Sequence, residues 1–212
     1  VQKIVVIDYG MSNLHSVCSA LTQAAAGQAE VVISQDSTEI ASADRVVFPG
    51  QGAAADCMQA LNNLKLAGVV RKAASEKPFL GICMGMQVLL QQSEENDGTS
   101  CLGLYEGAVK SFRRHVASEE TIKVPHMGWN TIQQKQAHPL WSGIPQDSYF
   151  YFVHSYFVQP AQTECAIGRT NYGLEFASVI ASGNVFAMQC HPEKSAANGL
   201  RLLANFIQWR GA

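Results

Sequence analysis

Hydrophobic positions fall into two textures along the chain. In the first, continuous apolar runs alternate with amphipathic stretches. Ile4-Val5-Val6-Ile7-Asp8 is such a run, and it fits a parallel strand covered on both faces. Tyr9-Gly10-Met11-Ser12-Asn13 then turns, with Ser12 or Asn13 placed to cap a helix through Val17, Leu21 and Ala24 or Ala25. Residues 30–33 and 45–48 read as the second and third strands, with a loop and short helix over 34–43 between them. The third strand ends in Pro49-Gly50-Gln51-Gly52. Residues 53–64 and 65–75 carry helical spacing, 79–82 read as a strand, and 84–92 as a helix. Ser93-Glu94-Glu95-Asn96-Asp97-Gly98 closes that helix, and its charges suit a solvated loop.

After residue 100 the texture changes to alternating β patterns at 108–112, 129–133, 149–153, 166–170, 176–181 and 185–189. Residues 174–189 read as two antiparallel strands joined across Ser182-Gly183-Asn184. A last amphipathic helix carries Leu200, Leu203, Phe206 and Ile207. There is no internal repeat or linker. Strand–helix units followed by a β-rich half predict one α/β domain over 1–212, with a mixed, mostly parallel central sheet flanked by helices.

Composition narrows the classes. A length of 212 residues, 47% of them hydrophobic, allows a sizeable core in one domain, with or without an insertion. A net charge of −2 gives no basic footprint for nucleic acid. The short basic cluster Arg113-Arg114-His115 reads as a solvated loop. No run approaches a membrane span, and the N-terminus has a strand pattern rather than that of a signal peptide. Cys18, Cys57, Cys83, Cys101, Cys165 and Cys190 form no CxxC pair. The expectation is free thiols in a reducing cytoplasm, with no metal site.

The candidate chemistry centres on Gly81-Ile82-Cys83-Met84-Gly85-Met86-Gln87, where a buried strand turns sharply into a helix. Glycines flank a cysteine on a tight turn, and a helix N-terminus favours its thiolate. Alone, the motif fits a nucleophile and a structural cysteine equally well. Gln87 follows one helical turn later, facing either the same pocket or the helix surface. Gly50 and Gly52 allow backbone N–H groups to point at a ligand, although an ordinary turn has the same sequence. A nucleophilic cysteine needs a base, and the base needs an orienting partner. His191-Pro192-Glu193 supplies both, because in an extended stretch Glu193 reaches one imidazole nitrogen while the other faces a thiol. With Cys83 and the glycine turn also present, the catalytic reading outweighs a solvated turn. His126 and His154 read as structural residues at strand ends, and Cys190 as a core residue on the opposite face from His191.

Taken together, these motifs resemble the class I, triad-type glutamine amidotransferases. Pro125-His126-Met127-Gly128-Trp129-Asn130 and Tyr151-Phe152-Val153-His154-Ser155-Tyr156 narrow the resemblance to the glutaminase subunits of imidazole glycerol phosphate synthases. The resemblance covers nearly the whole chain and implies a flavodoxin-like α/β fold. It implies that Cys83 attacks the carboxamide of glutamine, that His191 moves the protons and that Glu193 orients His191. It further implies an oxyanion hole from the backbone of Gly50, Gln51, Gly52 and Met84, and glutamine binding by Gln87, Glu95, Ser155 and Tyr156. No cofactor is implied. The implied partner is a separate (β/α)₈ barrel cyclase in a heterodimer, met by Asn13, Trp129, Tyr151 and Lys194. Two positions depart from the family pattern: Gln51 replaces a small apolar residue, and Cys190 replaces an aromatic. The competing readings are a paralogous subunit for another amidation pathway such as surface-sugar biosynthesis, a non-catalytic module of a barrel synthase, and a thiol hydrolase. The intact Cys83, His191 and Glu193 argue against the second, and Gln87 with the Gly50–Gly52 turn against the third.

Overall fold

The computed structural model describes residues 1–10, 13–116 and 122–212, so Met11 and Ser12 of the expected turn lie outside the described residues. The strands are β1 (Gln2–Ile7), β2 (Ala29–Ser34), β3 (Arg45–Gly50), β4 (Phe79–Cys83), β5 (Leu90–Ser93), β6 (Thr99–Ser100), β7 (Tyr105–Ser111), β8 (His126–Gln134), β9 (Ser148–His154), β10 (Tyr156–Pro160), β11 (Gly168–Asn171), β12 (Glu175–Ser182) and β13 (Val185–Met188). The helices are α1 (Leu14–Ala25), α2 (Ser37–Ser42), α3 (Ala54–Asn63), α4 (Ala67–Glu76), α5 (Met84–Gln87), α6 (Phe112–His115) and α7 (Ala196–Gln208).

The sheet order is β2-β1-β3-β4-β13-β12-β10-β7-β5-β6, with β11, β8 and β9 branching from β12. The sheet is mixed, as expected. It is parallel from β2 through β13 and antiparallel across β13-β12-β10-β7. The double covering of β1 is explicit in its packing. Ile4 and Val6 join Val17 and Leu21 of α1 and Leu203 and Phe206 of α7. Val5 and Ile7 face the other way, into a cluster with Leu61 of α3 and Val70 of α4. Period-two alternation within one apolar run thus supplies both cores.

Three expectations are corrected. The helix over 84–92 stops at Gln87, and Leu90–Ser93 form β5 instead. The carbonyls of Val88, Leu89 and Leu90 accept from the amides of Leu102, Gly103, Leu104 and Tyr105. They are therefore withdrawn from any helical ladder, and β5 pairs with β7. Strand β10 was hidden because β9 and β10 run almost continuously through the bend at Ser155. Arg113-Arg114-His115 forms the short helix α6 rather than a loop, and the acidic stretch after β5 is not simply solvated.

Glu94 shows why. Its carboxylate accepts from Ser111 N at 2.9 Å and pairs with Lys110 Nζ and His115 Nε2, each at 3.0 Å. Burial pushes this carboxyl up, but these three partners outweigh burial and hold it at about 2. A depressed folded-state value stabilises the fold above the ordinary carboxylate range, and that stability is lost as pH falls toward 2. Glu94→Gln is expected to lower stability near neutrality by on the order of 2 kcal/mol. In urea titrations across acid pH the deficit should shrink below pH 4.5. A deficit independent of pH would contradict the assignment.

Candidate active site

Strand β4 ends on Cys83 with φ +55° and ψ −111°. Such a conformation costs a residue with a side chain about 1–3 kcal/mol. Close packing enforces it. A Cβ on Gly81 would lie 2.9 Å from the Ala187 Cβ, and one on Gly85 only 1.8 Å from the Phe48 carbonyl oxygen. Glycine at both positions lets the turn sit directly on β3 and β13. Helix α5 is only four residues long, so its dipole gives the sulfur less support than the sequence suggests. Gly50 is the register partner of Cys83 across β3 and β4, which sets the Gly50-Gln51-Gly52 turn beside the thiol. Gly52 has φ +87°, and the Tyr9 hydroxyl donates to the Pro49 carbonyl at 3.0 Å, tying that turn to the end of β1.

His191 follows β13 in extended conformation. Its Nδ1–H donates to Glu193 Oε1 at 2.8 Å. Glu193 makes this reach from a 3-10 turn over Pro192–Lys194, not from the extended backbone that the sequence implied. The Ser195 hydroxyl fixes the loop by donating to the His191 carbonyl at 2.6 Å and accepting from Tyr151 N at 3.0 Å. His191 Nε2 is buried without a hydrogen-bond partner. Burial works against the imidazolium, but Cys83 and Glu193 outweigh it and raise His191 to about 10. His191 and Cys83 line the same cleft, with no aligned hydrogen bond between Nε2 and the sulfur in this resting geometry. Cys190 is fully buried in the core, as expected, and burial pushes its thiol up.

Cys83, Met84, Gln87, Glu95, Ser155, Tyr156, His191, Gln51 and Gly52 line one cleft of about 440 Å³, together with Pro125, Val153, His154 and Lys194. This size suits an amino-acid substrate. Gly50 and Glu193 stand behind its wall, lining a small adjoining cavity with Asn13 and Lys194. Gln87 is buried, facing the interior rather than the helix surface. Glu95 spends one oxygen on Ala54 N at 2.7 Å, capping α3, and burial pushes its carboxyl up.

The four residues foreseen as a partner surface connect through Lys194, which lines the cleft. Trp129 and Tyr151 are cross-strand partners with edge-on rings 6.1 Å apart, and Lys194 Nζ lies 5.9 Å from the centre of the Tyr151 ring. Asn13 shares the small cavity with Lys194 and makes no side-chain cap on α1. Met127, Trp129 and Tyr149 are all more than half exposed on this face.

His126 and His154 are buried, in keeping with a structural role. His154 Nδ1 lies 2.7 Å from the Tyr156 carbonyl, which only accepts, so His154 donates there. His154 Nε2 then accepts from His126 Nδ1 at 2.8 Å, and His126 Nε2 accepts from Asn130 at 3.2 Å. Burial lowers His126 to about 4 and His154 to about 3, keeping both neutral as this network requires. Gln189 was not foreseen. It is fully buried between Gln87 and Cys83, and its one sequence signal is a polar residue ending the apolar run of β13.

Among the described residues no group of three or more His, Cys, Asp or Glu side chains is placed to hold a metal ion. Nor is any helix among them long and apolar enough to cross a membrane.

Residues 5–209 match the family model for class I glutamine amidotransferases. The chain is 50% identical to imidazole glycerol phosphate synthase subunit HisH 1 of Pseudomonas aeruginosa, over 99% of this chain and 98% of the relative. It is 54% identical to subunit HisH of Methylococcus capsulatus, over 97% of this chain and 96% of that protein. A glutamine amidotransferase crystal structure superposes with a TM-score of 0.69 at 17% identity, covering 96% of this chain and 97% of the other, and so shares its fold. The chain belongs to the class I glutamine amidotransferases and, within them, to the HisH glutaminase subunits of imidazole glycerol phosphate synthase.

Proposed function

We propose that Cys83, His191 and Glu193 hydrolyse glutamine to glutamate and ammonia, and that the ammonia passes to a separate (β/α)₈ barrel cyclase. The reading rests chiefly on one observation: His191 is held by Glu193 through Nδ1 at 2.8 Å, while its buried, unpartnered Nε2 shares a cleft with Cys83. In this mechanism the Cys83 thiolate attacks the carboxamide carbon, and His191 gives its Nε2 proton to the departing ammonia. A water then gives its proton back to Nε2 as its oxygen attacks the thioester, releasing glutamate. Backbone N–H groups of Met84 and of the Gly50-Gln51-Gly52 turn stabilise the oxyanion in both halves. Glu95 suits the α-ammonium of glutamine. Gln87 Oε1, buried and unpartnered, is a second acceptor for it. Ser155 and Tyr156 contribute to the opposite wall.

Asn13, Trp129, Tyr151 and Lys194, joined by Met127 and Tyr149, form the cyclase-facing surface in this reading, and 1–212 works as one domain in the cytoplasm. The experiment is a glutaminase assay with and without the cyclase and its nucleotide-like substrate. Turnover is expected to rise roughly tenfold or more when both are present, the scale of a coupling of about 1–3 kcal/mol. Trp129→Ala is expected to lose most of that rise while leaving isolated turnover intact. An isolated chain already at full rate, unmoved by the cyclase, would contradict the coupling.

A further inference from the structure

Gln189 is fully buried at the end of β13. A buried amide has to place its donor and its acceptor correctly, and here the surroundings leave one choice. The Tyr156 carbonyl can only accept, and it lies 3.3 Å from the Gln87 amide nitrogen. That nitrogen also lies 2.9 Å from the Gln189 side-chain oxygen, to which it donates. The Gln189 amide nitrogen is thereby turned toward Cys83 Sγ, 3.6 Å away.

We propose that Gln189 is a catalytic residue whose side-chain N–H donates to the Cys83 sulfur and stabilises its thiolate before glutamine arrives. The proposal builds on the assignment of Cys83 as nucleophile and adds a second stabiliser besides His191. Hydrogen bonds to an ionised acceptor are markedly stronger than neutral ones, so this donor favours the charged sulfur over the thiol. The other titratable groups acting on Cys83 are Tyr9 from the end of β1, and Cys190 and His191 after β13, with Glu193 behind His191. Burial keeps Tyr9 and Cys190 protonated and uncharged. Glu95, His154, Tyr156 and Lys194 face the sulfur's cleft from the other walls. Of these side chains, Gln189 is the one that places a donor at hydrogen-bond distance from the sulfur, and His191 the one whose positive charge the sulfur supports.

The test compares wild type with Gln189→Met, which removes both polar ends, and Gln189→Glu, whose ionised form still accepts from Gln87 but offers the sulfur no donor. Cys83 alkylation by iodoacetamide is followed against pH, with the site identified by mass spectrometry, alongside kcat and KM. The alkylation midpoint is expected to move up by about one pH unit in Gln189→Met and further in Gln189→Glu. Both variants should lose about tenfold in kcat, with KM little changed in Gln189→Glu, which keeps the acceptor for Gln87. A wild-type profile in the folded variants, or a rise in KM alone, would show that Gln189 merely holds Gln87 and would overturn the proposal. If the alkylated wild-type chain still hydrolyses glutamine, Cys83 is not the nucleophile and both assignments fall. Should both variants fail to fold, the side-chain amide resonances of Gln189 in the wild-type chain decide. They are expected to shift as Cys83 titrates, and indifference to that titration would overturn the proposal.

Discussion

Replacing Cys83 with alanine is expected to reduce glutamine hydrolysis by on the order of 10⁴-fold or more, while synthesis from free ammonia in the complex with the cyclase continues. The size of the effect follows from the state of the other thiols. Burial raises Cys18, Cys57, Cys101, Cys165 and Cys190 above the ordinary thiol value, with Cys57 at about 12 and Cys101 at about 11. Cys190 adjoins His191 in sequence but belongs to the hydrophobic core. No other thiol can therefore stand in for Cys83. The strained backbone at Cys83 belongs to the turn rather than to the sulfur, so the alanine variant keeps it and should fold. Ammonia-dependent synthesis lost together with hydrolysis would point to a folding or docking defect instead. Hydrolysis near the wild-type rate would remove Cys83 from the mechanism.

Glu193→Gln is the second large effect. An amide in the same place still offers an oxygen to His191 Nδ1 but no longer opposes the ring's positive charge. Loss of an orienting carboxylate in such a triad costs about 10⁴-fold in kcat. The sign of the pH effect is specific. Cys83 and Glu193 together outweigh burial and hold the imidazolium up to about 10. A raised value keeps the proton for leaving ammonia available to alkaline pH, and removing Glu193 should bring the alkaline limb of kcat/KM down. A loss of rate with an unmoved alkaline limb would mean that Glu193 only positions the ring.

Much of this site is legible in the sequence because its chemistry depends on local backbone. Gly81-x-Cys83-x-Gly85 announces a turn that packs against two strands, and the glycines are there because Phe48 and Ala187 leave no room for a Cβ. His191 and Glu193 are near neighbours in the chain, so their pairing needs no knowledge of the fold, although a 3-10 turn and not an extended run accomplishes it. What the sequence hid depends on partners far along the chain. The stretch after Gln87 looks helical until its carbonyls are claimed by the segment around Leu102–Tyr105. Glu94 looks solvated until Lys110, Ser111 and His115 close on it. Gln189 looks like an ordinary strand end until the fold sets Gln87 on one side of it and Cys83 on the other. The neutrality of His126 and His154 is likewise a product of burial and of a shared hydrogen bond, neither visible in their motifs.

The central claim, a single activated thiol that attacks glutamine, is tested most directly with a chloroketone analogue of glutamine followed by peptide mass spectrometry. One modification is expected, on the peptide bearing Cys83, growing in step with loss of hydrolysis and slowed by excess glutamine. A label on Cys190 or another thiol, or full hydrolysis by chains already labelled at Cys83, would contradict it.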